Sequence, residues 1–289
     1  MTKAAVFADH LAEALDRSGS PICVGLDPVA ERLPAPVREG RSPVDAIEVF
    51  CCGVIEAIAG AVGVVKPQSA CFERYGPEGV GVLWRVIQRA REAGLLVVLD
   101  AKRGDIGLTA GHYAAGIAAS GAHAVTANAY LGAGTLTPYL DQGLGVFALV
   151  RTSNPEGDAI QGARLDDGRS VAELVASELA EFGRAHTGAR GLSAVGAVVG
   201  ATKAADAAAL RAGMPDQVFL VPGFGAQGGK ADDLLAMVRP SAKAAFEKGV
   251  LVTASRSVIY PEAAGNDWKS AINDAAIAMR SEVNAALEI

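Results

Sequence analysis

GLLVVLDAKRGDI, residues 94–106, opens as an unbroken apolar run and closes with four charges between Asp100 and Asp105. A strand covered on both faces reads in this continuous way, whereas a half-exposed strand alternates, so the run fits a parallel sheet with helices outside it. The pattern recurs on both sides, as PICVGLD (21–27), GAVGVVKP (60–67), GAHAVTANAY (121–130), GLGVFALVRT (143–152), GLSAVGAVVG (191–200), QVFLVPGFG (217–225) and GVLVTASRS (249–257). Stretches with helical spacing separate most of these runs, for example Val82, Leu83, Val86, Ile87 and Ala90 before the segment quoted first. Eight βα units in 289 residues predict an α/β protein, a (β/α)8 TIM barrel forming one domain over residues 1–289. An open doubly wound sheet, with about six strands, fits the count less well. An amphipathic helix within residues 1–20 is expected to pack on the barrel, and residues 152–170 to form an extended loop after strand five.

Composition agrees with a packed enzyme-sized domain. Apolar residues make up 51%, charged residues 20% and aromatics 5%, which excludes a disordered chain and implies a core of small aliphatic side chains. The 34 glycines show no collagen period; Gly60, Gly63, Gly94, Gly121, Gly143, Gly145, Gly191 and Gly249 fall near strand starts, where helices stop and the chain reverses. A net charge of -6 argues against a surface for nucleic-acid polymers. Asp9, Glu13 and Asp16 interrupt the first apolar run too early for a secretory signal, and no segment reaches the roughly 18 apolar residues of a bilayer span. Cys23, Cys51, Cys52 and Cys71 lack metal-finger spacing and read as free thiols. These features together predict a cytoplasmic enzyme with no membrane partner.

In a barrel the carboxyl ends of the strands open into the loops that hold the active site, and charges collect there. Asp27 follows the first strand, Lys66 ends the second, Asp100 and Lys102 end the third, Ser153 follows the fifth and Arg256 the eighth. Asp100 and Lys102 are two apart, so in an extended strand both point the same way, with Ala101 facing away. Asp105 lies beyond the strand end, and its loop can fold back toward the site or reach a partner subunit. An ammonium among carboxylates suits proton donation better than attack as a free amine, which makes Lys102 the expected donor. A fixed carboxylate such as Asp100 would crowd an anionic substrate group and favour its loss while Lys102 stabilises the carbanion, the logic of a decarboxylation.

A phosphate site is expected where VPGFGAQGG follows strand seven and TASRSVIY follows strand eight, since barrels often bind phosphate with these two loops. Gly223, Gly225, Gly228 and Gly229 can offer backbone N–H groups, and Arg256 a bidentate guanidinium. Gln227 reads equally as a ligand contact or an ordinary loop amide. A dinucleotide fingerprint would have to follow an early strand, and it does not. His10, His112, His123 and His186 form no metal-ligand pattern; Asn128 can bind a ligand or close a turn.

LDAKRGDIGLTA, preceded by VVKPQSACFERYG and followed by VPGFGAQGG and ASRSVIY, resembles the orotidine 5'-phosphate decarboxylases, in particular their longer, mycobacterial-type branch. The likeness spans nearly the whole chain and implies a dimeric (β/α)8 barrel. It also implies conversion of orotidine 5'-monophosphate to uridine 5'-monophosphate and carbon dioxide without cofactor or metal. The resemblance makes Lys66, Asp100, Lys102 and Asp105 the alternating catalytic network, with Asp105 donated in trans across a homodimer. Asp27 and Thr109 correspond to ribose-side contacts, Ser153 to a pyrimidine contact, Gln227 to a bridge between base and phosphate, and Arg256 to the principal phosphate ligand, beside Gly225 and Gly228. Ser255 stands where a glycine often precedes that arginine. Hexulose-phosphate synthase and keto-gulonate-phosphate decarboxylase share the Asp-x-Lys-x-x-Asp pattern and need a divalent cation, but KPQ, TSNP and GFGAQGG favour the nucleotide decarboxylase.

Overall fold

The computed structural model describes residues 2–224, 231–261 and 267–289. Eight parallel strands close in sequence order: β1 Ile22–Leu26, β2 Val64–Pro67, β3 Leu96–Arg103, β4 Ala124–Ala127, β5 Gly145–Arg151, β6 Val195–Val199, β7 Phe219–Val221 and β8 Val250–Ala254. β8 pairs back onto β1. Each strand lies inside one of the eight apolar runs, and six of them are buried at every position. The predicted (β/α)8 barrel is therefore the fold.

Helices Pro43–Ile58, Gly76–Glu92, Gly107–Ser120, Val171–Gly183, Ala204–Gly213 and Trp268–Leu287 wrap the sheet. Local chemistry starts them. Ser42 caps the first of these by accepting from Asp45 N, with Pro43 at the opening position, and the face carrying Ile47, Phe50, Val54 and Ile58 is buried. Ser170 and Glu173 form a reciprocal capping box that starts Val171–Gly183 at the end of the long loop. That loop is less extended than expected: it holds helical turns at Pro155–Gly157 and Asp158–Gln161 and a bridge between Arg164 and Ser170. Arg151, buried at the end of β5, reaches Asp158 and Asp206 at 2.6 Å each and ties the loop to the barrel.

The amino-terminal helix α1, Lys3–Ser18, packs on the strand starts, its Phe7 ring edge-on to Phe147 at 6.4 Å. This contact changes the reading of two glycines. A Cβ on Gly63 would lie 2.4 Å from the Ala14 carbonyl oxygen, and one on Gly145 would lie 2.1 Å from the Phe7 ring. These two are glycine because α1 approaches closely, whereas Gly94 and Gly121, at φ 76° and 89°, do turn the chain as expected.

Beneath β7 and β8 the guanidinium of Arg211 is buried. It donates to the carbonyls of Met214, Gln217, Met237 and Gly249 at 2.7–2.8 Å, and lies 3.7 Å from the centre of the Phe219 ring. It fastens the turns that feed two strands.

Candidate active site

The carboxyl ends of the strands enclose a cavity of about 560 Å³, lined by Asp27 after β1, Lys66 on β2, Asp100 and Lys102 on β3, Ser153 after β5 and Arg256 after β8. The structure thus gathers six of the expected residues from five strands.

Asp100 is the hub. Its Oδ2 accepts from Lys66 Nζ at 2.9 Å and Gln68 Nε2 at 3.1 Å, while its Oδ1 accepts from Lys102 Nζ at 2.6 Å and Thr126 Oγ1 at 2.7 Å. Four donors fill the carboxylate's capacity. Burial works against charge on Asp100, which is 6% exposed, but Lys66 and Lys102 outweigh it and hold the carboxyl far below its ordinary range. Burial also disfavours the Lys66 ammonium; Asp100 and then Asp27 more than compensate, and its pKa rises above the usual lysine value. A buried ion pair of this kind survives because each partner is paired and hydrogen-bonded. Lys102 differs from Lys66 in access: its side chain is about half exposed, one end on Asp100 and the rest in the cavity.

The pair meets by a route other than the simple pleat expected for β3. Between Leu99 opposite Val125 and Arg103 opposite Ala127 the register slips, four steps on β3 against two on β4. Within this bulge Lys102 has φ 45°, left-handed for a non-glycine residue. The two side chains converge because the strand is bent there.

Around the hub, Asp27 Oδ1 is buried with no hydrogen-bond partner among the described residues, and so offers a free acceptor to the cavity. A Cβ on Gly25 would fall 1.9 Å from Ser255 Oγ, so the serine preceding Arg256 fits by lying over a glycine of β1. Gly200, after β6, likewise lets the Ser153 backbone approach, since a Cβ there would come within 2.8 Å of it. Arg256 has no ion-pair partner among the described residues. Gly223 reaches the cavity at φ 91°, while Gly225, Gln227 and Gly228 lie outside the described residues.

Asp105 and Thr109 do not line the cavity of their own chain; Asp105 Oδ1 accepts from the N–H of Ile106 at 2.8 Å. Asn128 closes a turn, its Oδ1 accepting from Tyr130 N. Two residues that hold Asp100 went unassigned in the sequence. Gln68 stands in the KPQ segment, and Thr126 is the one polar residue of the buried strand AVTA, a position that could have drawn attention.

A closed parallel barrel with buried, interlocked charges at the carboxyl ends of its strands is the architecture of a (β/α)8-barrel enzyme. The family model for orotidine 5'-phosphate decarboxylase / HUMPS matches residues 20–269, and the chain belongs to that family. It is 40% identical to the orotidine 5'-phosphate decarboxylase of Rhodopirellula baltica over 96% of this chain and 98% of the other. With that of Salinispora tropica it shares 46% identity over 86% of each. The solved structure of Leishmania donovani OMP decarboxylase superposes with a TM-score of 0.80 at 32% identity, covering all of both chains.

Proposed function

We infer that the chain removes carbon dioxide from orotidine 5'-monophosphate to give uridine 5'-monophosphate, the last step of de novo pyrimidine nucleotide synthesis. The observation that carries this reading is the Lys66–Asp100–Lys102 array at the cavity wall, in a chain whose full-length relatives bear that enzyme's name. Arg256 and the loop after β7 hold the phosphate, Asp27 accepts from a ribose hydroxyl, and Ser153 contacts the pyrimidine. Gln227 bridges base and phosphate. Binding at these distant groups sets the substrate carboxylate against ionised Asp100. The C6–carboxylate bond breaks, its electron pair stays on C6 beside the Lys102 ammonium, and Lys102 delivers the proton to C6. The residues need no metal or organic cofactor for these steps.

The active form in this reading is a cytoplasmic homodimer in which Asp105 and Thr109 serve the neighbouring cavity. Their distance from their own cavity supports this, as does the apolar edge they sit on: Ile106, Leu108, Tyr130 and Leu131 are 60%, 79%, 82% and 52% exposed. Four free thiols suit a reducing compartment.

The deciding experiment follows the absorbance of orotidine 5'-monophosphate with purified, chelator-treated protein. Conversion to uridine 5'-monophosphate is expected, and a folded but inert dimer refutes the reading. Activity that appears only with a divalent cation and a sugar phosphate would instead favour the metal-dependent lyases of the same family. Against them stands the donor set, since every acceptor position on Asp100 is already filled by lysine, amide or hydroxyl donors.

A further inference from the structure

We propose that Thr126 is the positioning residue of the decarboxylation site, fixing both the direction of the Asp100 carboxylate and the left-handed backbone of Lys102 through one hydroxyl. The proposal deepens the decarboxylase reading and rests on it for its kinetic consequences.

A threonine hydroxyl has one proton to give. Here Oγ1 accepts from the backbone N–H of Lys102 at 3.0 Å and donates to Asp100 Oδ1 at 2.7 Å. Both neighbours are constrained in turn: the N–H can only donate, and Asp100, surrounded by donors, can only accept. The hydroxyl therefore has a single orientation, and it links the two groups whose relative placement the chemistry depends on.

The backbone link has a specific cause. The register slip between Leu99/Val125 and Arg103/Ala127 lifts β3 off β4 at Lys102, and its N–H takes the β4 side chain as partner in place of a ladder carbonyl. Regular pairing resumes at once, with Asn128 N donating to Arg103 O at 2.8 Å. Thr126 is 1% exposed and sits on a strand otherwise built of alanine and valine. It thus holds the bulge in the conformation, φ 45° at Lys102, that an L-residue adopts only when its surroundings enforce it.

Gln68 also donates to Asp100, but to the other oxygen and without touching Lys102. Among the described residues only Thr126 joins the backbone of Lys102 to the carboxylate of Asp100.

The test compares Thr126→Val, which keeps the shape and removes both hydrogen bonds, with Thr126→Ser, which keeps the hydroxyl. Misplacement of reacting groups by about 1 Å can cost on the order of 100-fold in rate. For Thr126→Val the expected result is a kcat loss of roughly that size with KM changed by less than about threefold, because phosphate and ribose contacts lie elsewhere. Thr126→Ser should restore kcat to within about fivefold of the parent. A crystal structure of Thr126→Val supplies a readout independent of turnover: Lys102 leaving positive φ, or Asp100 Oδ1 turning from its present direction, supports the proposal. It is overturned if Asp100 and Lys102 are unmoved in that structure, if kcat is retained, or if Thr126→Ser is as impaired as Thr126→Val. Failure of the unaltered protein to decarboxylate orotidine 5'-monophosphate strikes the functional reading instead; the crystal structure then decides the positioning claim by itself.

Discussion

The two ends of the barrel each bury a charged centre, and they resolve the cost of burial in opposite ways. At the mouth, Asp100 is held by two ammonium groups, an amide and a hydroxyl, so charge is balanced by charge. At the floor, Arg211 meets no carboxylate within ion-pair distance among the described residues; four backbone carbonyls and the Phe219 face satisfy it. Desolvation dominates there and pushes the guanidinium down to about 9. The mouth keeps spare capacity, in Asp27 Oδ1 and in the half-exposed Lys102, while Arg211 is used up in closing turns. What marks a buried charge as functional is therefore a neighbour left open to a ligand, rather than burial itself.

The sharpest test of this contrast is Lys102→Ala. Loss of the proposed proton donor should lower turnover by at least about 10³-fold, with the thermal midpoint moving by no more than a few degrees; near-parental turnover would remove Lys102 from that role. Arg211→Met should do the reverse. Four carbonyls lose their donor, a loss expected to cost about 3 kcal/mol in denaturant unfolding, while kcat per folded molecule stays within twofold or so of the parent. If Arg211→Met altered kcat and left stability alone, the division between mouth and floor would fail.

Acid titration separates the ends more finely. His123, at the floor, accepts from Val97 N on Nδ1, and desolvation followed by Arg91 and His10 lowers its pKa to about 4. Its ring stays neutral in the fold while the unfolded chain takes up a proton below about 6.5. Stability should therefore fall as pH drops from about 6.5 toward 4, by about 2 kcal/mol at pH 5 relative to pH 8. His123→Gln should lose that component of the slope. The mouth pair behaves differently. Asp100, depressed, contributes stability above its unfolded value that disappears only in strong acid; Lys66, raised, contributes below its unfolded value and loses it only in strong alkali. Between these limits the pair should add no limb to the pH–rate profile. Gly145→Ala tests the floor by packing alone: its methyl would collide with Phe7 and should cost about 1–3 kcal/mol by overpacking, with the active-site rate unchanged.

The eight strands were legible because a strand buried on both faces leaves a continuous apolar run, and Asp27, Lys66, Asp100, Lys102, Ser153 and Arg256 because they end such runs. The bulge was not, since a register slip depends on how β3 lies against β4 and leaves no mark in β3 alone. Thr126 and Gln68 escaped for a similar reason: a residue that holds the Asp100 carboxylate has the spacing of any other strand-end residue. Gly63 and Gly145 looked like turn glycines until α1 lay against them.

The bulge in β3 also bears on how such a gene can change. A surface loop that does not line the cavity can lengthen or shorten without moving the side chains at the mouth. A one-residue insertion or deletion between Asp100 and Arg103 cannot be absorbed in this way, because it would rotate one of the two charges off the mouth and part Lys102 from Thr126. Among descendants of this sequence, the distance between those two charges should be the last length to drift.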